Sequence, residues 1–273
     1  MYIPQRFINN IDAHMLGNLI DICNFPVILT IIGKPGMGKT YQLRNYLKLV
    51  GVEVLSINAA DLESSKAGQP AKLLEQRYIE ASSKITNGKP AVLLIDDIDT
   101  TVGEWKNNTG TVNHQGILAF LMHIADNPTY IENVGKVNRV PIFFTGNDFS
   151  KLYEPLVRFG RANKLDWYPN DEEKANIIKD IFEFDSLNIP LMLINDFPEQ
   201  PISFFSDLLE GCIMDNLVSL SGDVVYKYII TDESYKQSLI LKYNNSKSLV
   251  FQGDIYQMLK CKGEEKLGKA STN

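Results

Sequence analysis

The residues Gly33-Lys34-Pro35-Gly36-Met37-Gly38-Lys39-Thr40 spell the pattern GxxxxGK[ST]. Each position has a chemical reason. The glycines let the backbone turn with its N–H groups facing inward, a nest for phosphate oxygens. A helix starting near Lys39 would add the positive end of its dipole. The Lys39 ammonium would reach the terminal phosphates, and the Thr40 hydroxyl would sit on Mg²⁺. Residues Gly33 to Thr40 and the adjoining Tyr41 are therefore the candidate nucleotide-binding set, with Thr40 also a candidate metal ligand. The plain alternative is a glycine-rich turn that holds nothing. Against it stands the position of the pattern, between the apolar run Val27–Ile32 and the helically spaced Lys39–Val50.

A second acidic group follows. Ala91–Ile95 is an apolar run that ends in Asp96-Asp97-Ile98-Asp99. A carboxylate at the tip of a buried strand beside the phosphate-loop strand can hold Mg²⁺, and its neighbour can polarise the attacking water. Asp96 is assigned to the metal and Asp97 to the water; an acidic turn capping a helix is the competing reading. A third strand tip, Val140–Thr145 followed by Gly146-Asn147-Asp148, brings Asn147 toward the terminal phosphate or its water. Gly-Asn-Asp is also ordinary turn chemistry. Arg158 and Arg161 stand three apart, a spacing that puts them on one face if the segment is helical. They could be arginine fingers or surface ion pairs. The chain has Arg at 6, 44, 77, 139, 158 and 161 and nowhere after, so Arg–phosphate chemistry is confined to the first 161 residues.

Elements must hold these tips in place. Val27–Ile32, Val52–Ile57, Pro90–Ile95, Val140–Thr145 and Lys164–Tyr168 read as strands. Lys39–Val50, Pro70–Lys84 and Val112–Ala125 read as helices between them. Alternation of this kind predicts an α/β fold with a parallel sheet covered on both faces. The pattern changes near Pro169, where Asp171–Ile181 and Ile202–Leu217 are helical with no buried strand between them. The expected organisation is an αβ nucleotide-binding domain over 1–168 and a helical lid and C-terminal region over 169–261. A polar disordered tail is expected over 262–273. Beyond Ser219 the weak alternation assigns no elements.

Composition bounds the rest. The 273 residues are 44% hydrophobic and 22% charged, with net charge −6. That balance argues against nucleic acid as the main partner. Cys23, Cys212 and Cys261 are far apart and rule out a disulfide scaffold or a Cys-based zinc module. The longest apolar run near the start is far below the roughly 20 residues of a membrane span. The N-terminus does not read as a signal peptide, so a soluble, reducing, intracellular protein is expected.

In this order and spacing the motifs match an AAA+ ATPase, with Asn147 as its "sensor 1" residue. Longer stretches are more specific. Ala60-Asp61-Leu62-Glu63-Ser64-Ser65-Lys66-Ala67-Gly68-Gln69-Pro70-Ala71-Lys72-Leu73 through Arg77-Tyr78 resembles a segment of Rubisco activase. So do Leu121-Met122-His123-Ile124-Ala125-Asp126-Asn127-Pro128-Thr129 and Arg139-Val140-Pro141-Ile142 through Arg161. The likeness covers about residues 2–206 and is close to the cyanobacterial and plant type. It implies an AAA+ P-loop domain with a five-stranded parallel sheet, followed by a smaller helical lid domain. It also implies a Mg²⁺-dependent ATPase that assembles into a homo-oligomeric ring, a hexamer. Such a ring uses ATP to remodel inhibited Rubisco, releasing tight-binding sugar phosphates. The resemblance makes the setting cytoplasmic, in the cyanobacterial cytosol or at the carboxysome, or the chloroplast stroma. In the ring Arg158 and Arg161 would face the neighbouring subunit's nucleotide.

The sequence also departs from the family. The loop after Asp99 lacks the family's AGAGR-like run. On the lid helix Phe204–Gly211, Leu209 and Gly211 stand where the family has arginines, and Asp207 and Glu210 would repel a triphosphate. Pore loops are expected near Glu63–Gln69 and Val102–Thr111, with Trp105 as the candidate client-gripping aromatic or as a residue packed on its own domain. A remodeller of a different client, and an ATP-dependent assembly module with little turnover, are the competing functions.

Overall fold

The computed structural model describes residues 1–62, 68–101, 112–148, 150, 152–158, 160–221, 224–250 and 255–268. Trp105 and most of both expected pore loops lie outside them.

Ile28–Ile32 forms strand β1, buried along its whole length. Its β-branched run suits a pleated surface covered on both sides. Glu53–Ile57 (β2), Ala91–Ile95 (β3), Ile142–Gly146 (β6) and Ala162–Asp166 (β7) join it. The short pair Tyr130–Ile131 (β4) and Gly135–Lys136 (β5) forms a separate antiparallel hairpin. The five-stranded sheet has the order β2-β3-β6-β1-β7, with every pairing parallel. This corrects one expectation. β3, which carries the acidic tip, is not next to β1, because β6 lies between them.

Alternate residues of each strand feed two cores. On one face Ile28, Ile32, Leu93, Ile95, Ile142 and Phe144 pack with Leu74 and Tyr78 of α4 (Gln69–Thr86) and Leu121 of α6 (Val112–Asp126). On the other, Leu29, Ile31, Val92, Leu94 and Phe143 pack with Leu43 and Leu47 of α2 (Lys39–Leu49). They also meet Phe7, Ile11 and Met15 of an N-terminal helix α1 (Gln5–Leu19), which the strand-and-helix reading of the sequence left out. Its apolar residues recur every four positions, so the signal was present. Each fully buried large side chain contributes about 1.5–3 kcal/mol. Three single turns complete the αβ unit: α3 (Ala59–Leu62), α5 (Ile98–Thr101) and α7 (Glu154–Val157).

The chain divides into two compact units, Ile3–Tyr168 and a second formed by Pro169–Asn273 with Met1–Tyr2. The second unit is helical. α8 (Asp171–Phe182) opens with a capping box: Asn170 Oδ1 accepts from Glu173 N at 2.8 Å, and Asn170 N donates to Glu173 Oε2 at 2.9 Å. α9 (Asn188–Asp196), α10 (Ile202–Leu220), α11 (Tyr226–Thr231), α12 (Glu233–Val250) and α13 (Ile255–Lys266) follow. The core of this unit draws Ile178, Leu193, Phe205 and Leu259 from α8, α9, α10 and α13. Beyond Ser219, where the sequence pattern assigns no elements, most of the described residues are helical. In α11 and α12 the apolar positions do not report burial: Ile230 is 87% and Leu241 62% exposed. The expected tail over 262–273 is corrected in part. α13 continues through Lys266, and a Cβ on Gly263 would lie 2.3 Å from the Phe197 ring, so that turn is seated in the core.

Candidate nucleotide site

The phosphate loop leaves β1 at Gly33, whose N–H donates to Gly146 O on β6 at 3.3 Å. A Cβ at Gly33 would lie 2.3 Å from the Trp167 carbonyl oxygen, so only glycine fits. Gly36 and Gly38 turn the loop with φ of 73° and 76°, values that L side chains rarely adopt. Trp167 is fully buried and its Nε1–H donates to Met37 O at 2.8 Å, anchoring the loop from beneath. Lys34, Pro35 and Gly36 are exposed on the outer bend. Tyr41 lies on the first turn of α2 with its side chain 61% exposed.

Lys39 folds back across the loop. Its Nζ donates to Gly33 O at 2.6 Å, to Lys34 O at 3.1 Å and to Asn147 Oδ1 at 2.9 Å. Burial pulls the ammonium below its usual pKa, while Asp97, Asp99 and Asp96 oppose that shift. The ammonium is thus held by three oxygen acceptors.

Thr40 Oγ1 donates to Asp96 Oδ1 at 2.7 Å and lies 3.3 Å from Thr145 Oγ1. Thr145, on the intervening strand β6, also donates to Asp96 Oδ1. The other Asp96 oxygen accepts from Arg44 Nη2 at 3.0 Å. Arg44 lies one helical turn beyond Thr40 on α2, an i,i+4 signal that the sequence reading did not use. A hydroxyl and a carboxylate oxygen side by side are hard donors of the kind Mg²⁺ takes, with phosphate and water completing its shell. Among the described residues there is no cluster of three or more His, Cys, Asp or Glu side chains that could hold a metal by itself. Thr40 and Asp96 therefore fit a cation shared with a phosphate.

Asp97 follows Asp96 in the left-handed region, φ 48°. Its N–H donates to Thr145 Oγ1 at 3.3 Å. Lost hydration raises its carboxyl pKa, Asp96 and Asp99 add to the rise, and Lys39 opposes it. Asp99, absent from the expected site, is 4% exposed and accepts the backbone N–H groups of Asn147 and Asp148 at 3.0 and 3.1 Å. Thus Lys39, Thr40, Asp96 and Asn147, read separately from sequence, converge at the ends of β1, β3 and β6. Arg44, Thr145, Asp99 and Trp167 are the partners that only the folded chain supplies.

The arginine pair is different. α7 ends at Val157 and Arg158 has extended backbone, φ −66° and ψ 159°, so the two arginines do not share a helical face. Arg158 is exposed. Arg161 is buried and forms a two-pronged pair with Asp126 at the end of α6.

Residues 29–169 match the model of the ATPase family associated with various cellular activities (AAA). This chain belongs to the AAA family. Within it, the chain is similar to ribulose bisphosphate carboxylase/oxygenase activases. It is 42% identical to that of Nostoc sp. over 218 residues, which is 76% of this chain and 53% of the relative. It is 41% identical to the chloroplastic activase of Zea mays over 217 residues, 76% of this chain and 50% of the relative. For the Arabidopsis thaliana chloroplastic activase the figures are 41% over 217 residues, 76% and 46%. The chain spans about half the length of the curated relatives it matches. The AAA match runs from β1 to the end of the αβ unit, and so contains every residue of the site. Among the described residues, no helix is long and apolar enough to cross a membrane.

In the helical unit of this AAA protein, one of the two acids named above, Asp207, is paired within its own unit. Lys266 Nζ donates to Asp207 Oδ2 at 2.7 Å, and Lys262 pairs with Asp215 at 2.5 Å. These cations come from α13, more than 45 residues further along the chain.

Proposed function

We propose that this AAA protein hydrolyses ATP and uses the energy to remodel Rubisco, releasing sugar phosphates bound in its inhibited form. The observation that carries the reading is the meeting of Lys39 Nζ with Asn147 Oδ1 and of Thr40 Oγ1 with Asp96 Oδ1 at adjacent strand tips. The loop N–H groups and Lys39 bind the phosphates. Thr40 and Asp96 hold Mg²⁺, which when bound neutralises charge on the phosphate oxygens. Asp97 polarises the attacking water and Asn147 orients it against the terminal phosphate. The chain acts as a homo-oligomeric ring, a hexamer, in which exposed Arg158 reaches the neighbouring copy's nucleotide. Buried Arg161 holds that segment in place. The setting is the cyanobacterial cytosol or the chloroplast stroma. The similarity to the activases supports Rubisco as the client.

The test is phosphate release from Mg·ATP by the wild type and by Lys39→Ala, followed by reactivation of sugar-phosphate-inhibited Rubisco. Turnover that Lys39→Ala abolishes, together with reactivation, supports the reading. Turnover without reactivation transfers the motor to another client. ATP binding without turnover leaves an assembly module.

A further inference from the structure

We infer that Asp99 is a positioning residue for hydrolysis, which sets Asn147 against Lys39 through the backbone of the β6 tip. The inference rests on the ATPase reading above and adds a residue to it. Asp99 is buried, and a buried carboxylate is costly unless its bonds repay it. Its Oδ2 accepts two N–H groups, those of Asn147 and Asp148, at 3.0 and 3.1 Å. Its Oδ1 is buried and has no partner among the described residues. Among the described residues, the bonding that offsets its burial is therefore directed at the two residues that follow Gly146. Hydrogen bonds to a carboxylate are directional and stronger than bonds between neutral groups.

The strand tip is shaped for this grip. A Cβ at Gly146 would lie 3.0 Å from Asp99 Oδ1, so a side chain there would press on the carboxylate. Asn147, fixed at its N–H, then turns its side-chain oxygen to Lys39 Nζ at 2.9 Å. Asp99 stands three residues after Asp96 on the single turn α5. The short acidic segment therefore does two separate things. Asp96 faces Thr40 and Arg44, while Asp99 faces the backbone behind Asn147. Without Asp99 the Asn147 amide loses its register with Lys39, and a small misplacement of an orienting group costs up to about 10²-fold in rate.

The experiment uses the full chain with Asp99→Ala, Asp99→Asn, Asn147→Ala and the double variant Asp99→Ala/Asn147→Ala. Phosphate release gives kcat and KM, and hydrogen exchange follows the amides of 147 and 148. Asp99→Ala is expected to lower kcat about 10²-fold with little change in KM. It should also speed exchange at those two amides. Asp99→Asn keeps an acceptor oxygen, so it should recover much of both. In the double variant the losses should not multiply, because Asp99 acts through Asn147. Wild-type kcat in Asp99→Ala would overturn the inference, and so would losses that multiply in the double variant. If Asp99→Ala does not fold, Asp99→Asn must show a partial loss on both readouts, and an unchanged Asp99→Asn overturns the proposal. A wild type that hydrolyses no ATP refutes the ATPase reading by itself. The exchange rates then still decide whether Asp99 holds the tip.

Discussion

Arg161 grips Asp126 with two parallel bonds, Nε to Oδ1 at 2.7 Å and Nη2 to Oδ2 at 2.5 Å, and its Nη1 donates to Pro155 O at 2.7 Å. The guanidinium is thereby spent within its own chain, joining the end of α6 to the approach to β7. Arg158 is exposed and makes no ion pair among the described residues. Arg161→Ala should therefore destabilise the αβ unit by about 1 kcal/mol, the net loss of its hydrogen bonds, because the half-exposed Asp126 carboxylate regains water. Arg158→Ala should leave the melting temperature unchanged and remove most turnover. Mixing Arg158→Ala with Lys39→Ala subunits should restore partial hydrolysis where an intact loop meets an intact arginine. Absence of rescue at every mixing ratio would refute the role in trans.

Asp97→Asn should keep ATP binding and lose turnover by about 10²–10⁴-fold, because an amide cannot accept the proton that a carboxylate draws from water. Binding is read with a fluorescent nucleotide and turnover by phosphate release. If Asp97→Asn is active and Asp96→Asn is not, the water-polarising role belongs to Asp96.

Trp167 supports the phosphate loop through its indole N–H on Met37 O and its backbone N–H on Ile32 O at 2.6 Å. Phe7 packs edge-on against its ring with centroids 4.6 Å apart. Trp167→Phe keeps the apolar contact and strands the Met37 carbonyl. The expected result is a loss of about 1–3 kcal/mol in unfolding free energy, with weaker nucleotide binding. Equal nucleotide affinity in calorimetric titration would show that the loop holds its shape without this anchor.

His14 is buried against β6, its Nε2 3.2 Å from Ile142 O. Burial lowers its pKa to about 3; the Ile142 carbonyl opposes this and Arg139 adds to it. In the folded chain it stays neutral where the unfolded chain takes up a proton. Its contribution is thus complete above about pH 6.5 and is lost as pH falls toward 3. One proton gives a slope approaching about 1.4 kcal/mol per pH unit. Urea unfolding of the wild type between pH 7.5 and 5.5 should show this slope, and His14→Gln should flatten it. Parallel profiles would assign the pH dependence to other groups.

Gly263→Ala should destabilise the helical unit by about 1–3 kcal/mol, because the added methyl meets the Phe197 ring. Thermal unfolding followed by circular dichroism checks it. A neutral effect would mean that the last helix packs loosely.

Strands β1, β3 and β6, the glycine loop and helix α2 were legible because their signals are local. Continuous apolar runs, a fixed motif and a helical repeat each lie within a dozen residues. The meeting of Lys39, Asp96 and Asn147 was legible for a related reason, since each stands at the same end of a parallel strand. α1, with its regular four-residue repeat, was equally open to reading. The helices after Ser219 were not, because α11 and α12 keep large apolar side chains exposed and their pattern does not mark a buried face. Charge pairing was hidden altogether. Nothing near Arg161 in sequence indicates Asp126, 35 residues away, and nothing near Asp207 indicates Lys266, 59 residues on. By itself the sequence determined a phosphate loop, an acidic strand tip and the layers that carry them, because hydrophobic period and glycine geometry act over short range. Tertiary structure alone decided that β6 separates β3 from β1, that Thr145 and Arg44 share Asp96, and that Asp99 faces the backbone of Asn147. Those contacts depend on strand order, which sets the neighbours of each tip and which no local pattern records.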